Sequence, residues 1–252
     1  DKKYKGKTCL NNIKIDINKY DIIVSDVKSY SILDKVCKNE NFLNTICKGR
    51  RDNVFGIQTN DSRLSDIKIN DDYIKCYVSS RKGFEKFIDK KLIKNFEKSL
   101  CNKVITVESA TKGGEGFGNM YVSVPGEVLN GSYIYYITNN KKESESLLSY
   151  LKTKFANKML SLRKVSQHIK PDTCKWIPIV PFDREWTDEQ LYEHFNLTQE
   201  EIDLIESSVK KSPKKKLTKS VGDNIAEDFL IEGGKIYNYT GRSKKIQRGK
   251  VE

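Results

Sequence analysis

Amide, guanidinium and ammonium side chains recur along the chain beside segments that predict turns. The stretch Gln58-Thr-Asn-Asp-Ser-Arg63 combines several of them directly after an apolar run. Gln, Asn and Arg can hydrogen-bond the edge of a nucleic-acid base bidentately, and Lys and Arg can hold backbone phosphates. A solvated surface side chain is the alternative interpretation of each residue taken alone, but their recurrence beside predicted loops favours a common surface. The candidate DNA contacts are Arg50, Arg51, Gln58, Thr59, Asn60, Arg63, Arg81, Lys82, Lys112, Arg163, Lys164, Gln167 and His168.

The composition is that of a basic globular protein. The 252 residues include 46 Lys and Arg against 34 Asp and Glu, a formal net charge of +12, and 37% hydrophobic residues. A chain of this length can bury a core. Cations that neutralise phosphates release the counterions of a polyanion, so the surplus favours such a partner. Overuse of Lys by an AT-rich genome would also explain the charge, and charge alone leaves both explanations open.

The cysteines and histidines form no spacing typical of a metal site. Six cysteines are scattered with no Cys-x-x-Cys pair, and the two histidines, His168 and His194, lie far apart. A zinc site needs clustered thiolates or imidazoles, so we interpret the cysteines as free thiols of a cytoplasmic protein. No apolar run approaches the ~20 residues of a membrane helix, and no signal-peptide core is present, so we expect no membrane partner. The first residue is Asp rather than Met, which indicates a fragment or a processed chain.

Familiar catalytic patterns find little support in the sequence. Adenine methylation uses a short Asn/Asp-Pro-Pro-Tyr loop to hold an extruded base, and the chain has five prolines but no Pro-Pro. The glycine-rich stretch 113–118 precedes a predicted strand rather than a helix, so we interpret it as a turn that can approach a DNA backbone. We therefore predict no catalytic residue, no bound cofactor and no metal ligand on this chain.

A metal-dependent nuclease is an alternative. Such an enzyme holds Mg²⁺ with an Asp followed by Glu/Asp-x-Lys. Two sets of residues superficially match this pattern: the first is Asp21, Asp26 and Lys28, and the second is Asp61, Asp66 and Lys68. In a chain so rich in Asp and Lys, matches of this kind arise by chance.

Hydrophobic periodicity predicts an α+β fold, with mixed sheets, a long amphipathic helix and short capped helices. β-branched and aromatic alternation predicts strands at 20–25, 54–59, 72–78, 103–108, 120–124, 132–138 and 175–180. Apolar residues at three- and four-residue steps predict helices at 29–47, 90–100 and, most clearly, 143–169, which Pro171 ends. Thr187 with Gln190 and Thr198 with Glu201 match the capping box, which predicts helices at 188–195 and 199–211.

We divide the chain into three parts. Residues 1–100 and 101–211 form the N-terminal and C-terminal parts of one recognition region, and the long helix and the Trp-rich segment lie in the second part. Residues 212–252 are a basic linker followed by a small hairpin or tail, with a Gly233-Gly234 turn between two apolar runs.

The segment from Leu160 to Glu206 closely resembles the C-terminal target-recognition region of bacterial type II restriction–modification adenine-specific DNA methyltransferases. Pro181-Phe-Asp-Arg-Glu-Trp-Thr-Asp-Glu-Gln-Leu-Tyr is its most specific part. The stretch from Arg51 to Asn60 looks like the family's Phe-Gly-Leu-Arg-Thr segment, with Gln58 where Arg is common. Lys103-Val-Ile-Thr-Val-Glu-Ser-Ala and Lys152-Thr-Lys-Phe-Ala-Asn-Lys-Met-Leu are also similar, so that the resemblance covers most of residues 20–210.

The resemblance implies sequence-specific recognition of double-stranded DNA for an adenine N6-methyltransferase of bacterial defence. The catalytic domain, which binds S-adenosylmethionine, would lie upstream of this chain, so no catalytic residue carries over. The aromatic residues of the matched segment are expected to build a core rather than to touch DNA. Expected partners are duplex DNA, the upstream methyltransferase domain and, as an open alternative, a nuclease domain or subunit. A metal-dependent restriction nuclease subunit and a non-catalytic assembly module of a restriction–modification complex are the alternative functions.

Overall fold

The computed structural model describes residues 7–10, 13–16, 19–22, 24, 26–38, 41–49, 53–79, 85–109, 116–208, 229–232 and 235–238. The chain divides into two compact units, Asp1–Lys210 and Lys211–Glu252. None of the described helices combines the length and the apolarity that crossing a bilayer requires.

The described elements confirm the α+β class. The strands are β1 (Lys7–Leu10), β2 (Ile13–Asp16), β3 (Cys47–Gly49), β4 (Tyr73–Tyr77), β5 (Glu85–Asp89), β6 (Asn102–Val107), β7 (Met120–Ser123), β8 (Val128–Leu129), β9 (Tyr133–Thr138), β10 (Phe229–Glu232) and β11 (Lys235–Asn238). The α-helices are α1 (Tyr30–Val36), α2 (Lys141–Lys152), α3 (Lys154–Arg163), α4 (Asp188–His194) and α5 (Gln199–Ser208). β1 and β2 pair antiparallel, as do β10 and β11 in the second unit, and the turn expected at Gly233-Gly234 lies outside the described residues.

A four-stranded antiparallel sheet in the order β3-β9-β6-β7 forms the centre of the first unit. Successive side chains of a strand point to opposite faces. Ile134 and Tyr136 of β9 accordingly belong to the core beneath the helices. Tyr133 and Tyr135 belong to a second core on the other face. The alternation of large apolar residues in β9 therefore covers both faces of this sheet.

The second core is closed by a three-stranded sheet in the order β5-β4-β8. β4 pairs antiparallel with β5 and parallel with β8. Phe55 and Ile57, which precede these strands in the chain, are buried in the same core. The described strands thus join both sides of residue 100, since β3 pairs with β9 and β4 with β8.

The long helix predicted at 143–169 is two helices, α2 and α3, with a break at Thr153, and residues 164–169 are not helical because α3 already ends at Arg163. Thr153 adopts an extended conformation (φ −67°, ψ 154°), and its Oγ1 accepts a hydrogen bond from Ala156 N. Asp188 accepts from the backbone N–H groups of Lys154 and Phe155, at 3.0 and 2.8 Å, and so satisfies the free donors at the start of α3. The apolar stripe continues across the break, so periodicity alone could not locate it.

The two capping boxes are confirmed. Thr187 N donates to Gln190 Oε1 at 3.1 Å and Gln190 N donates to Thr187 Oγ1 at 3.3 Å, at the start of α4. The same exchange joins Thr198 and Glu201 at the start of α5. These helix starts are defined by pairs of side chains three residues apart, and they could therefore be predicted from the sequence.

Several elements predicted from the sequence are shorter or absent. The described residues of the predicted helix 29–47 include α1, a 3-10 turn (Leu43–Thr45) and the first residue of β3. The predicted helix 90–100 contains two 3-10 turns, Lys90–Leu92 and Phe96–Ser99. The segments 54–59 and 175–180 form no strand, nor do the described residues of 20–25. Pro178 makes only an isolated bridge with Phe42, because proline lacks the N–H that a strand ladder needs. The strands predicted at 72–78, 103–108, 120–124 and 132–138 are confirmed as β4, β6, β7 and β9.

Candidate nucleic-acid interface

Strand ends from both sheets of the first unit meet at one place. β3 ends at Gly49, which pairs with Ile134, and β6 ends at Val107 opposite Tyr133, the first residue of β9. Asn130 N donates to Tyr77 O at 2.9 Å, which brings the end of β4 beside the β8–β9 connection. We call this region the loop end, and it consists of Gly49, Gln58–Asn60, Ser79, Ser109, Asn130–Ser132 and Gln167–His168.

The segment that carries Gln58, Thr59 and Asn60 is held by an ion pair inside its own turn. Arg63 Nε and Nη2 donate to Asp61 Oδ1 and Oδ2 at 2.8 and 2.6 Å. Arg63 also donates to the carbonyl oxygens of Leu92 and Gly56, both at 2.7 Å. The hydrogen bonds from Arg63 hold the pKa of the Asp61 carboxyl well below its usual range. Arg63 therefore positions the turn from within.

A second set of hydrogen bonds attaches this segment to the β8–β9 connection. Asn130 is fully buried, and its Nδ2 donates to Thr59 Oγ1 at 3.0 Å. Thr59 Oγ1 also lies 3.1 Å from Ser132 Oγ, and Gly131 N donates to Ile57 O at 3.1 Å. The side chains of Gln58 and Asn60, on either side of Thr59, are exposed. The turn is fixed by its buried members and presents two amides to solvent.

The residues after α3 return to the same end of the sheet. Ser109 and His168 form an antiparallel bridge, and Ile169 N donates to Glu108 O at 2.7 Å. His168 Nδ1 lies 3.3 Å from Glu108 Oε1, a contact that becomes an ion pair when the imidazole is protonated. Gln167 is exposed beside it. The loop end thus gathers residues that are about a hundred positions apart in the sequence.

The structure separates the candidate contacts into three groups. Gln58, Asn60 and Gln167 are exposed at the loop end, and Thr59 and His168 are partly buried there. Arg63 points into its own turn, and Arg163 and Lys164 are buried. Arg50, Arg51, Arg81, Lys82 and Lys112 lie outside the described residues.

Arg163 lies in a network beneath the surface. Its side chain is 3% exposed and pairs with Asp21 through both terminal nitrogens. Its Nε donates to Asp172 O at 2.7 Å, and its guanidinium carbon lies 4.9 Å from the centre of the Trp176 ring. The guanidinium holds the pKa of the Asp21 carboxyl below its usual range. This placement favours a role in joining α3 to two neighbouring segments over direct contact with a phosphate.

The carboxylates of the nuclease alternative are paired with cations on separate elements. Asp21 pairs with Arg163, Asp26 pairs with Lys158 at 2.8 Å, and Asp66 pairs with Lys86. Among the described residues, no three His, Cys, Asp or Glu side chains come together as metal ligands would. Five cysteines within these ranges are free thiols.

The residues that organise the loop end were not predicted from the sequence as part of a DNA-binding surface. Asp61, Asn130 and Ser132 were not among the candidate DNA contacts, because they act through contacts rather than through exposed groups. Asp61 was considered only as a carboxylate of the nuclease alternative. For Asp61 a local signal exists, since its two-residue spacing to Arg63 N is that of an Asx turn (3.1 Å). Asn130 and Thr59 are 71 residues apart, and no local pattern relates them. No protein-family model and no curated protein matches the sequence of this chain.

Proposed function

We propose that this chain recognises a short sequence in double-stranded DNA through the loop end, as the target-recognition part of an adenine-specific DNA methyltransferase. The observation that carries the proposal is the convergence of separate loops into one surface. This surface presents Gln58, Asn60 and Gln167 on fixed backbone. Gln and Asn are the side chains that bond adenine N6 and N7 bidentately in the major groove.

The charge of the adjoining sequence supports a polyanionic partner. The segments that continue directly from the loop end, 50–52, 80–84 and 110–115, contain Arg50, Arg51, Arg81, Lys82 and Lys112 against Asp52 and Glu115. Phosphate contacts would fix the register of the duplex, and the amides would then read base edges. Methyl transfer and S-adenosylmethionine binding would belong to a catalytic domain outside these residues, and the recognition part would help to keep the adenine extruded.

Selection from a randomised duplex pool at two salt concentrations tests the proposal. We expect the full chain to enrich one short motif at low salt and to retain that motif at higher salt. Retention that falls steeply with salt but shows no motif would mean phosphate binding without recognition. That result would overturn the sequence-specific proposal.

A matched pair of variants localises the recognition. Gln58→Ala removes an exposed amide at the loop end, and Gln199→Ala removes an exposed amide on α5. We expect the first variant to lose preference at one base position and the second to select the same motif as the unmodified chain. Equal motifs from all three proteins would place recognition elsewhere on the molecule.

A further inference from the structure

A cleft separate from the loop end lies between the segment before α1, α1 itself and the Trp176 segment. Its volume is about 660 Å³, within the ~300–1,000 Å³ typical of small-molecule sites. The side chains that define it here are Lys19, Tyr20, Asp34, Lys38, Phe42 and Trp176. It shares no residue with the loop end.

The apolar part of the cleft is aromatic. The rings of Tyr20 and Trp176 meet edge to face, with centroids 5.5 Å apart. Trp176 is 5% exposed, whereas Tyr20 and Phe42 are partly exposed. A planar ring entering the cleft would therefore meet aromatic surface that is not yet covered, and such contacts favour stacked or edge-to-face geometries.

Asp34 is held in place by two donors that use one of its oxygens. Tyr20 Oη and Lys19 Nζ both donate to Asp34 Oδ1, each at 2.6 Å. Burial and the neighbouring Asp34 raise the pKa of Tyr20, so its hydroxyl remains a donor. No described residue donates to the second carboxylate oxygen, Asp34 Oδ2. This oxygen can accept a hydrogen bond from an amino group or a sugar hydroxyl.

Two donors at the cleft have no partner among the described residues. Lys38 is exposed, and no hydrogen bond or ion pair joins its ammonium to another described side chain. The indole N–H of Trp176 likewise donates to no described residue, and its nitrogen is not one of the buried polar atoms that lack a partner in the described part of the chain. An acceptor on a ligand in the cleft could bond this N–H group.

We propose that this cleft binds a nucleotide, with the base against Tyr20 and Phe42, an amino or hydroxyl group on Asp34 and the phosphate on Lys38. Three polar groups of the cleft have no described partner: Asp34 Oδ2, which can accept a hydrogen bond, the indole N–H of Trp176, which can donate one, and the ammonium of Lys38, which can pair with an anion. These groups match the donors, acceptors and phosphate of a nucleotide. The nucleotide can be free in solution or an unpaired residue of a single strand, since both offer the same chemistry. The inference does not depend on duplex recognition by the loop end.

Titration calorimetry of the full chain with adenosine 5′-monophosphate tests the site. We expect saturable binding that weakens roughly tenfold in Lys38→Ala, because a charge-assisted bond to the phosphate is lost. Adenosine, which has no phosphate, should bind equally to both proteins. Lys28→Ala, which removes an exposed lysine outside the cleft, should bind the monophosphate as the unmodified chain does.

A single-stranded adenine oligonucleotide separates the two sources. Lys38-dependent binding of the monophosphate but not of the oligonucleotide identifies a free nucleotide. The reverse pattern identifies an unpaired residue of a strand, and binding of both identifies a site open to either. Absence of saturable binding by both probes, or binding that Lys38→Ala and Asp34→Asn leave unchanged, would overturn the proposal. Lys38 and Asp34 are exposed, so these variants test the site without removing core contacts.

Discussion

Asp61 and Arg63 form a bidentate ion pair, at 2.8 and 2.6 Å, inside the turn that presents Gln58 and Asn60. Planar matching of guanidinium and carboxylate gives such pairs a defined geometry. The pair is sheltered on one side only, since the Asp61 side chain is 10% exposed and that of Arg63 is 33% exposed. The two exposed amides are thereby attached to a turn that is held by its own ion pair.

Asp61→Asn should loosen this turn without dismantling the core. The amide keeps an acceptor for the backbone but loses the charge that holds Arg63, so we expect the free energy of unfolding to fall by about 1–3 kcal/mol. Urea denaturation measures this. Asp71→Asn is the control, because the Asp71 side chain is fully exposed and its ion pair among the described residues is with Lys68. Equal stability of Asp61→Asn and the unmodified chain would contradict the assigned role of the pair.

Acid should destabilise the first unit in a defined window. Hydrogen bonds from Arg63 hold the pKa of Asp61 below its usual range, and hydrogen bonds from Lys90 and Lys91 lower that of Asp72 to about 2. A carboxyl with a depressed folded-state pKa stabilises the fold above its unfolded pKa of ~3.9, and this stability is lost as the pH falls towards the folded value.

We therefore expect the urea midpoint to decline as the pH is lowered from about 4 to about 2, and to decline less steeply in Asp61→Asn. A midpoint independent of pH across this window would show that these carboxyls titrate alike in the folded and unfolded chain.

Arg163 is expected to contribute to stability rather than to DNA affinity. Arg163→Met keeps much of the side-chain volume but removes the bonds to Asp21 and Asp172 and the contact with Trp176, at an expected cost of about 2–4 kcal/mol. Arg163→Lys should recover only part of this loss, because an ammonium cannot pair bidentately. Denaturation curves measure stability, and duplex binding is compared at a temperature where both variants are folded. Weaker DNA binding by a fully folded Arg163→Lys variant would instead support direct contact.

The two capping boxes offer a test of how local sequence determines helix ends. Thr187→Ala and Thr198→Ala each remove an acceptor for a free N–H at the start of a helix and should each cost about 0.5–2 kcal/mol. Thr187→Ser and Thr198→Ser should retain most of the stability, because the hydroxyl remains. Loss of stability in the serine variants equal to that in the alanine variants would assign the effect to the methyl group.

Prediction from the sequence succeeded where the determining contacts are local. The capping pairs are three residues apart, and the strands β4, β6, β7 and β9 are rich in β-branched and aromatic residues. Those of β6, β7 and β9 pack against both cores, and those of β4 pack against the second core. It failed at Thr153, because the helix break depends on Asp188, a residue 33 and 34 positions from the N–H groups that it accepts from. The apolar stripe predicted one helix because it reflects which residues are buried, and buried residues continue from α2 into α3.

In the candidate site, too, some residues could be predicted from the sequence and others depend on tertiary contacts. Residue type indicated Gln58, Thr59, Asn60 and Gln167, which lie at the loop end. Residue type alone could not distinguish an exposed cation from Arg163, which is enclosed by residues up to 142 positions away. Nor could it indicate Asn130, whose amide fixes Thr59 from the interior. Candidates chosen by chemistry therefore need tertiary contacts to separate the residues that can reach a partner from those that hold the surface in shape.

Variants of Gln58 and Asn130 test whether a residue of the loop end contacts a base or instead holds the loop in position. Gln58→Ala removes one exposed amide, so we expect a loss of about 1–3 kcal/mol in discrimination at a single base position, with the salt dependence unchanged. Asn130→Asp removes the Nδ2 donor that holds Thr59, so it should reduce discrimination at several positions and lower the melting temperature of the free chain. Binding to a panel of single-base variants of the selected duplex, together with thermal unfolding, separates the two patterns. A uniform loss of affinity across the panel in Gln58→Ala would mean that this side chain contacts the backbone of the duplex rather than a base, because phosphate contacts affect all sequences alike.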